Sequence, residues 1–223
     1  MIIQSKYKKN IKGFNEFSSI NVQVKNKDIY NRILKNSSKI QLDTESKDII
    51  DKILDSYNKY FANKKFDDEN YILTNQELNE FNEINEVDNI FRYLVYRYKY
   101  NIFPKLNKLD EYPPNLQIEL TSICNLRCIM CYQTDRTFSS KSNGHLGHMS
   151  SDLFKKVIDE VEGKVEAITF ASRGEPTLNK NFGELLKYCE GKFLGLKLNT
   201  NATMFTEDRI HQLLSSDLQN LVL

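Results

Sequence analysis

Three features are scarce in this sequence of 223 residues: long apolar runs, cysteines and net charge. A helix that crosses a membrane needs about 20 consecutive apolar residues, and no segment approaches that length. The first ten residues contain no apolar stretch long enough for a secretory signal. Four cysteines in the whole chain are too few for a secreted disulfide scaffold. We therefore expect a globular, cytoplasmic protein, since clustered cysteines in a reducing compartment usually bind metal or do chemistry.

The net charge is +1, from 31 basic and 30 acidic side chains, so no overall field attracts nucleic acid. The charge is nevertheless uneven. Residues 1–47 carry ten Lys and Arg against four Asp and Glu, whereas residues 63–92 carry three against eight. A basic arm is able to contact RNA, phosphate or a membrane surface. Here the cations are nearly all Lys and are mixed with Asn and Ile, rather than with the Arg and aromatics typical of nucleic-acid faces. We expect no nucleic-acid partner and no membrane span.

The sequence Tyr112-Pro113-Pro114 divides the chain, because two consecutive prolines block helix continuation. Residues 1–112 are predicted to be a mainly helical region of unknown role, although residues 1–40 show no clean period. Apolar residues from Thr44 to Phe61 recur at helical spacing. Thr74 and Glu77 have the spacing of a capping box. A further helix is predicted from Val87, and its dense aromatic run favours a core or docking face over a substrate wall.

Residues 115–223 alternate strand and helix patterns. Four strands are predicted: one that includes Leu116, Ile118 and Leu120, then 165–171, 193–198 and 218–223. Helices are predicted between them, one starting near Ser150 or Ser151, one from Phe182 to Cys189 and one over 206–214. Strands separated by helices indicate βαβ units and a parallel sheet. The fold class is therefore α/β, preceded by the mainly helical region.

Three cysteines lie within eight residues, directly after the first predicted strand: Cys124, Cys128 and Cys131. A short loop of this kind can direct three thiolates toward three irons of a [4Fe–4S] cube and leave the fourth iron without a protein ligand. A small molecule with an amine and a carboxylate can chelate that fourth iron. Zinc is the alternative, with Cys189, His145 or His148 as the fourth ligand, but the paired C-x-x-C halves of zinc ribbons are absent. A redox pair of Cys128 and Cys131 would leave the third cysteine without a role.

The spacing C-x-x-x-C-x-x-C after a first strand resembles the signature of the radical S-adenosylmethionine (radical SAM) superfamily. Two more motifs follow in the order of that family. The sequence Ser172-Arg173-Gly174-Glu175-Pro176 after the second strand is similar to its G-G-E-P element. The sequence Asn199-Thr200-Asn201-Ala202 after the third strand is similar to its T-N-G element. Arg173 and Ala202 each replace a Gly, and Met130 replaces an aromatic residue. At Ala202 a left-handed turn is costlier than at Gly.

The resemblance implies a role for each matched residue. Cys124, Cys128 and Cys131 would hold the [4Fe–4S] cluster, and S-adenosylmethionine would bind its fourth iron. The residues expected to contact S-adenosylmethionine are Met130, Gly174, Glu175, Pro176, Thr200 and Asn201. The implied reaction is reductive cleavage of S-adenosylmethionine to a 5′-deoxyadenosyl radical, which abstracts a hydrogen atom from the substrate. The catalytic residue that acts on the substrate is not identified.

The resemblance implies a partial (β/α)₆ barrel, which has six strands. Residues 115–223 supply only about three and a half of them, so we expect these residues to form the N-terminal half of the barrel and the barrel to be incomplete. Later contacts to S-adenosylmethionine and any auxiliary clusters would belong to strands and domains beyond it. The motif combination resembles family members that modify peptides, proteins or carbohydrates, and such enzymes need an external electron donor. The alternative is a non-catalytic iron–sulfur or zinc-binding module.

Overall fold

The structure of the protein is a computed structural model that describes residues 22–223. The described residues divide into two compact units, 22–114 and 115–223. Residues 1–21, which hold part of the basic segment 1–47, lie outside the described residues.

The first unit is helical. Its helices are α1 (Val22–Asn36), α2 (Thr44–Phe61), α3 (Asn75–Asn82) and α4 (Val87–Ile102). The predicted capping box is confirmed at α3, where the Thr74 side chain accepts from the Glu77 N–H and the Glu77 side chain accepts from the Thr74 N–H. Helix α1 was not predicted. Its buried residues include Ile29 and Ile33, which lie one helical turn apart and have mostly polar neighbours in the sequence. The helical spacing of apolar residues is therefore hard to recognise in this segment.

The aromatic run of α4 forms core, as expected. Phe91, Tyr93, Tyr96 and Tyr98 are all buried. The Tyr93 hydroxyl donates to the Glu80 carboxylate at 2.7 Å. Buried tyrosines with satisfied hydroxyl groups are packing residues, not an open substrate wall.

The second unit contains one parallel sheet. Its strands are β1 (Asn115–Ile118), β2 (Ala167–Phe170), β3 (Gly195–Asn199) and β4 (Asn220–Val222), in the spatial order β1-β2-β3-β4. After β1 comes the single-turn helix α5 (Arg136–Ser139), and the longer helices are α6 (Ser151–Val161), α7 (Phe182–Tyr188) and α8 (Glu207–Ser215). The βαβ pattern predicted from the sequence is confirmed. The four described strands form an open sheet with β1 and β4 at its edges, as in a partial barrel that is not closed.

The two faces of the sheet differ in polarity. On one face Ile118, Phe170 and Leu198 are aligned across three strands and are buried. Phe170 contacts Phe154 of α6, with ring centroids 6.1 Å apart, so helices cover this face. The opposite face carries an aligned row of polar residues: Gln117, Thr169, Lys197 and Asn220.

No helix among residues 22–223 combines the length and the apolar character that a membrane crossing requires.

Candidate functional site

The three motifs lie at one edge of the sheet, which here means the edge formed by the carboxyl ends of its strands. The cysteine loop (residues 124–131) follows β1, the segment 172–176 follows β2, and the segment 199–202 follows β3. Because the strands are parallel and adjacent, their carboxyl ends meet at the same edge. Ligands of open parallel α/β sheets bind at this edge. The fold therefore brings together three segments that are far apart in the sequence.

The cysteine loop carries N–H donors directed at its sulfur atoms. The backbone N–H of Leu126 donates to Cys124 Sγ, and that of Gln133 donates to Cys131 Sγ, each at 3.5 Å. The backbone N–H of Cys131 donates to the carbonyl of Cys128 at 2.8 Å, which folds the end of the loop into a turn. Hydrogen bonds to the ligand sulfurs are among the contacts by which a protein adjusts an iron–sulfur cluster. This set of soft donors fits a [4Fe–4S] cluster, whose cysteines bind separate irons and do not converge on one ion.

Gln133 anchors the cysteine loop to the second motif, and the sequence analysis missed it. This residue is 3% exposed. Its amide nitrogen donates to the carbonyl of Ser122 at 2.8 Å and to the carbonyl of Arg173 at 2.7 Å. The side chain thus connects the exit of β1 to the exit of β2. No sequence signal identifies it, because its two partners lie 11 and 40 residues away.

Gly174 is required by close backbone packing. A Cβ atom at this position would lie 2.0 Å from the carbonyl oxygen of Thr121 and 2.7 Å from that of Ile123. The following N–H, of Glu175, donates to the Ile123 carbonyl at 2.8 Å. Gly174 therefore lets the second motif lie directly against the chain that leads into the cysteine loop.

The Arg173 side chain is engaged within the fold. Its Nη2 donates to Glu119 Oε1 at 2.7 Å, and its Nε donates to Glu119 Oε2 at 3.0 Å. Burial opposes ionisation of Glu119, but the hydrogen bonds from the Arg173 side chain and backbone outweigh it and hold the pKa of Glu119 below its ordinary value. Ser172 precedes the pair with a φ of 135°, a backbone conformation that favours glycine. Arg173 is thus the ion-pair partner of Glu119 within the fold.

The Glu175 carboxylate connects the second motif to the third. It is 2% exposed. Its Oε1 accepts from the Thr177 backbone N–H and from the hydroxyls of Thr177 and Thr200, the last at 2.6 Å. Its Oε2 accepts from the Asn201 backbone N–H at 2.7 Å. Both oxygens are therefore occupied by donors of the protein, and Thr200, which is 8% exposed, is turned toward the same carboxylate.

The third motif contacts the first through Asn201. Its side-chain amide nitrogen lies 3.8 Å from Cys124 Sγ and donates to Asn125 Oδ1 at 3.1 Å. Ala202 adopts a φ of 57°, so the left-handed turn is retained although the residue is not glycine. Thr203 completes the turn, since its N–H donates to Asn201 Oδ1 at 3.0 Å. The spacing Asn-x-Thr is a signal that could have identified this Asx turn from the sequence.

The remaining predicted contacts have contrasting environments. Met130 lies in the cysteine loop and is 85% exposed, next to Ile129 at 93%. Pro176 is buried and begins the 3₁₀ turn Pro176–Leu178 directly after Glu175. Arg127 donates to the carbonyls of Cys124 and Leu126, both at 2.8 Å, and so stabilises the loop itself.

The residues suggested for a zinc site are not gathered in the structure. Cys189 is 1% exposed at the end of α7 and precedes β3, so it lies toward the end of the sheet opposite to the cysteine loop. Burial raises the pKa of the Cys189 thiol to about 12. Among residues 22–223, no three His, Cys, Asp or Glu side chains are close enough together to hold one metal ion.

Comparison with known proteins finds similarity to one family within the α/β unit. The family model described as "Radical SAM superfamily" matches residues 118–222. Three curated relatives are similar over about 100 residues. A tungsten-containing aldehyde ferredoxin oxidoreductase cofactor-modifying protein of Pyrococcus furiosus is 33% identical over 44% of this chain and 26% of its own length. The mycofactocin maturase MftC of Mycobacterium tuberculosis is 32% identical over 47% of this chain and 25% of its own length. An AdoMet-dependent heme synthase of Methanosarcina barkeri is 32% identical over 46% and 28%.

Among solved structures, BtrN in complex with AdoMet and 2-DOIA is similar with a TM-score of 0.43 and 23% identity, over 51% of this chain and 46% of that chain. The matched segment of this chain spans about a quarter of the length of the curated relatives.

Proposed function

We propose that the chain is a radical SAM enzyme or part of one, because the radical SAM superfamily model matches residues 118–222. The observation that carries this proposal is the meeting of three motifs at the carboxyl ends of β1, β2 and β3, where the Glu175 carboxylate links the second motif to the third. Cys124, Cys128 and Cys131 would hold the [4Fe–4S] cluster that the family uses. When bound, the cluster would supply the electron for reductive cleavage of S-adenosylmethionine, the chemistry that enables hydrogen abstraction from a substrate.

The residues of the second motif would bind and orient S-adenosylmethionine. We assign the amino group of S-adenosylmethionine to backbone carbonyl oxygens of the segment around Gly174 and Pro176. The Glu175 carboxylate is less suited to this contact, since both of its oxygens already accept hydrogen bonds within the protein. Its role is to hold Thr200 and Asn201 in place. Met130 would cover the adenine, because it is apolar, polarizable and exposed beside the third cysteine.

The substrate that we propose is a peptide, a protein or a carbohydrate. Relatives named as a maturase and as a cofactor-modifying protein support a modification reaction in general terms. We also propose that the reaction requires an external electron donor. All four cysteines are free, which fits a reducing compartment such as the cytoplasm.

The test is anaerobic reconstitution of the 223-residue chain with iron and sulfide. We expect iron and sulfide to bind, and the electron paramagnetic resonance spectrum of the reduced cluster to change when S-adenosylmethionine is added. The Cys124→Ala/Cys128→Ala/Cys131→Ala variant should take up no cluster, whereas Cys189→Ala, the matched control, should load normally. Full iron and sulfide in the triple variant would contradict the assignment.

The same samples separate an enzyme from a non-catalytic module. Chromatography after addition of a strong reductant and S-adenosylmethionine measures 5′-deoxyadenosine. Formation of 5′-deoxyadenosine would support the radical SAM enzyme. A loaded cluster whose spectrum does not change when S-adenosylmethionine is added would support a non-catalytic module for electron transfer or assembly.

A further inference from the structure

Asn201 takes part in a closed ring of hydrogen bonds beside Cys124. Its Nδ2 donates to Asn125 Oδ1 at 3.1 Å. The Nδ2 of Asn125 donates to the Thr203 hydroxyl at 2.7 Å, and that hydroxyl donates to Asn201 Oδ1 at 2.6 Å. Each donor and acceptor in the ring is matched, so the three side chains hold one another in a single arrangement.

The ring fixes which end of the Asn201 amide faces the sulfur. The oxygen accepts from both the backbone N–H and the hydroxyl of Thr203. Were the amide reversed, its NH₂ group would face the Thr203 backbone N–H, which cannot accept a hydrogen bond. The nitrogen must therefore point toward Asn125 and toward Cys124 Sγ, which lies 3.8 Å from it.

The backbone beneath this amide is also held. The Asn201 N–H donates to the buried Glu175 carboxylate at 2.7 Å. The next residue, Ala202, is in the left-handed region, and its N–H donates to Thr200 Oγ1 at 3.0 Å. The position of the amide nitrogen is thus set by the tertiary structure and not by a freely rotating surface side chain.

We propose that the Asn201 side-chain N–H tunes the reduction potential of the cluster through the Cys124 sulfur. A hydrogen bond to a ligand sulfur stabilises the additional negative charge of the reduced cluster, and so raises its reduction potential. Asn201 acts through the ligand and does not need to touch S-adenosylmethionine. This inference rests on the proposed function, because it requires the cluster on Cys124.

The experiment is a redox titration of the reconstituted 223-residue chain, in which electron paramagnetic resonance measures the amount of reduced cluster at each potential. Asn201→Leu keeps the side-chain size and removes the donor. At a fixed potential we expect the ratio of reduced to oxidised cluster to fall roughly threefold to tenfold, which for one electron is a shift of about 30 to 60 mV to lower potential. Asn201→Asp should shift it further in the same direction, since a negative charge replaces the donor. Thr203→Val removes one of the two donors to Asn201 Oδ1 and should produce a smaller shift of the same sign.

Asn143→Ala is the control, because that exposed side chain donates to the Thr137 carbonyl and has no part in the ring. Its potential should equal that of the parent. A fully loaded Asn201→Leu protein at the parent potential overturns the inference and leaves the proposed function intact. If Asn201→Leu does not load, an unshifted Asn201→Asp protein overturns it instead. A parent chain that takes up no cluster overturns both proposals.

Discussion

The carboxylate of Glu175 accepts a hydrogen bond from the backbone N–H of Asn201 at 2.7 Å, across 26 residues of sequence. This contact joins the segment after β2 to the segment after β3. On the other side, the Glu175 N–H donates to Ile123, just before the first cysteine. The Glu175 carboxylate thus links the second and third motif segments, and its backbone N–H links them to the chain that leads into the cysteine loop.

Replacement of Glu175 tests this role. In Glu175→Gln, either orientation of the amide places its NH₂ group against a backbone N–H, of Thr177 or of Asn201. An unpaired buried donor should lower the free energy of unfolding by about 1.5 to 3 kcal/mol, measured by urea titration. Glu184→Gln is the control. Its partner is Lys155 in an exposed ion pair, so a change of about 0.5 kcal/mol or less is expected. Equal losses in the free energy of unfolding of the two variants would show that the buried Glu175 contacts stabilise the protein no more than the exposed Glu184 ion pair does.

Gly174→Ala should disrupt the packing between the first two motifs. The added Cβ would lie 2.0 Å from the Thr121 carbonyl oxygen, and backbone cannot move aside cheaply. We expect a loss of about 3 kcal/mol, seen as faster hydrogen exchange in β1 and β2. Gly147→Ala is the matched control, because a Cβ there meets no atom within 4 Å and its φ is not positive. Unchanged exchange in Gly174→Ala would refute the close approach.

Ala202→Gly should stabilise the protein. A non-glycine residue in the left-handed region lowers stability by roughly 1 to 2 kcal/mol. Glycine removes this cost, but about half of the gain is lost because glycine also raises the conformational entropy of the unfolded chain. The expected gain in the free energy of unfolding is about 0.5 to 1 kcal/mol by urea titration. Ala171→Gly has no positive φ to relieve, so it should be destabilised by about 0.5 to 1 kcal/mol. A loss in both variants would mean that Ala202 is unstrained.

The pKa of Glu119 should depend on Arg173. Because the pKa is lowered in the folded state, the interaction contributes stability above the ordinary value of 4.5 and loses it as the pH falls through the folded-state pKa. Carbon-detected NMR of the side-chain carboxyl should give a midpoint below 4.5 in the parent and a higher one in Arg173→Gln. Lys155→Gln, whose partner is Glu184, should leave the Glu119 midpoint unchanged. An Arg173→Gln midpoint equal to that of the parent would contradict the pairing.

Alkylation should distinguish Cys189 from the loop cysteines. Burial raises the pKa of its thiol to about 12, so at pH 8 it is protonated as well as inaccessible. In the cluster-free native chain, iodoacetamide should modify Cys124, Cys128 and Cys131 but not Cys189, as measured by peptide mass spectrometry. Unfolding in urea serves as the control and should expose all four. Modification of Cys189 at the rate of Cys128 would show that α7 opens readily.

The sequence by itself determined most of the secondary-structure elements and the candidate residues of the site. Alternation of apolar residues, helical spacing and caps at Thr74 and Ser150 depend on neighbours within a few positions, so they can be read locally. The cysteine spacing is local for the same reason. Helix α1 was missed because its period is weak, and the predicted strands proved longer than the observed ones because their ends pair less regularly than their centres.

Only the tertiary structure decided which side chains work together. Gln133 reaches Arg173 across 40 residues, Arg173 pairs with Glu119 across 54, and Asn125 meets Thr203 across 78. No periodicity encodes these partners, because each hydrogen bond depends on the direction of two side chains that different strands deliver to the same edge. The sequence therefore identified Asn201 as a candidate for cofactor binding, whereas the fold directed its amide nitrogen to the sulfur of Cys124.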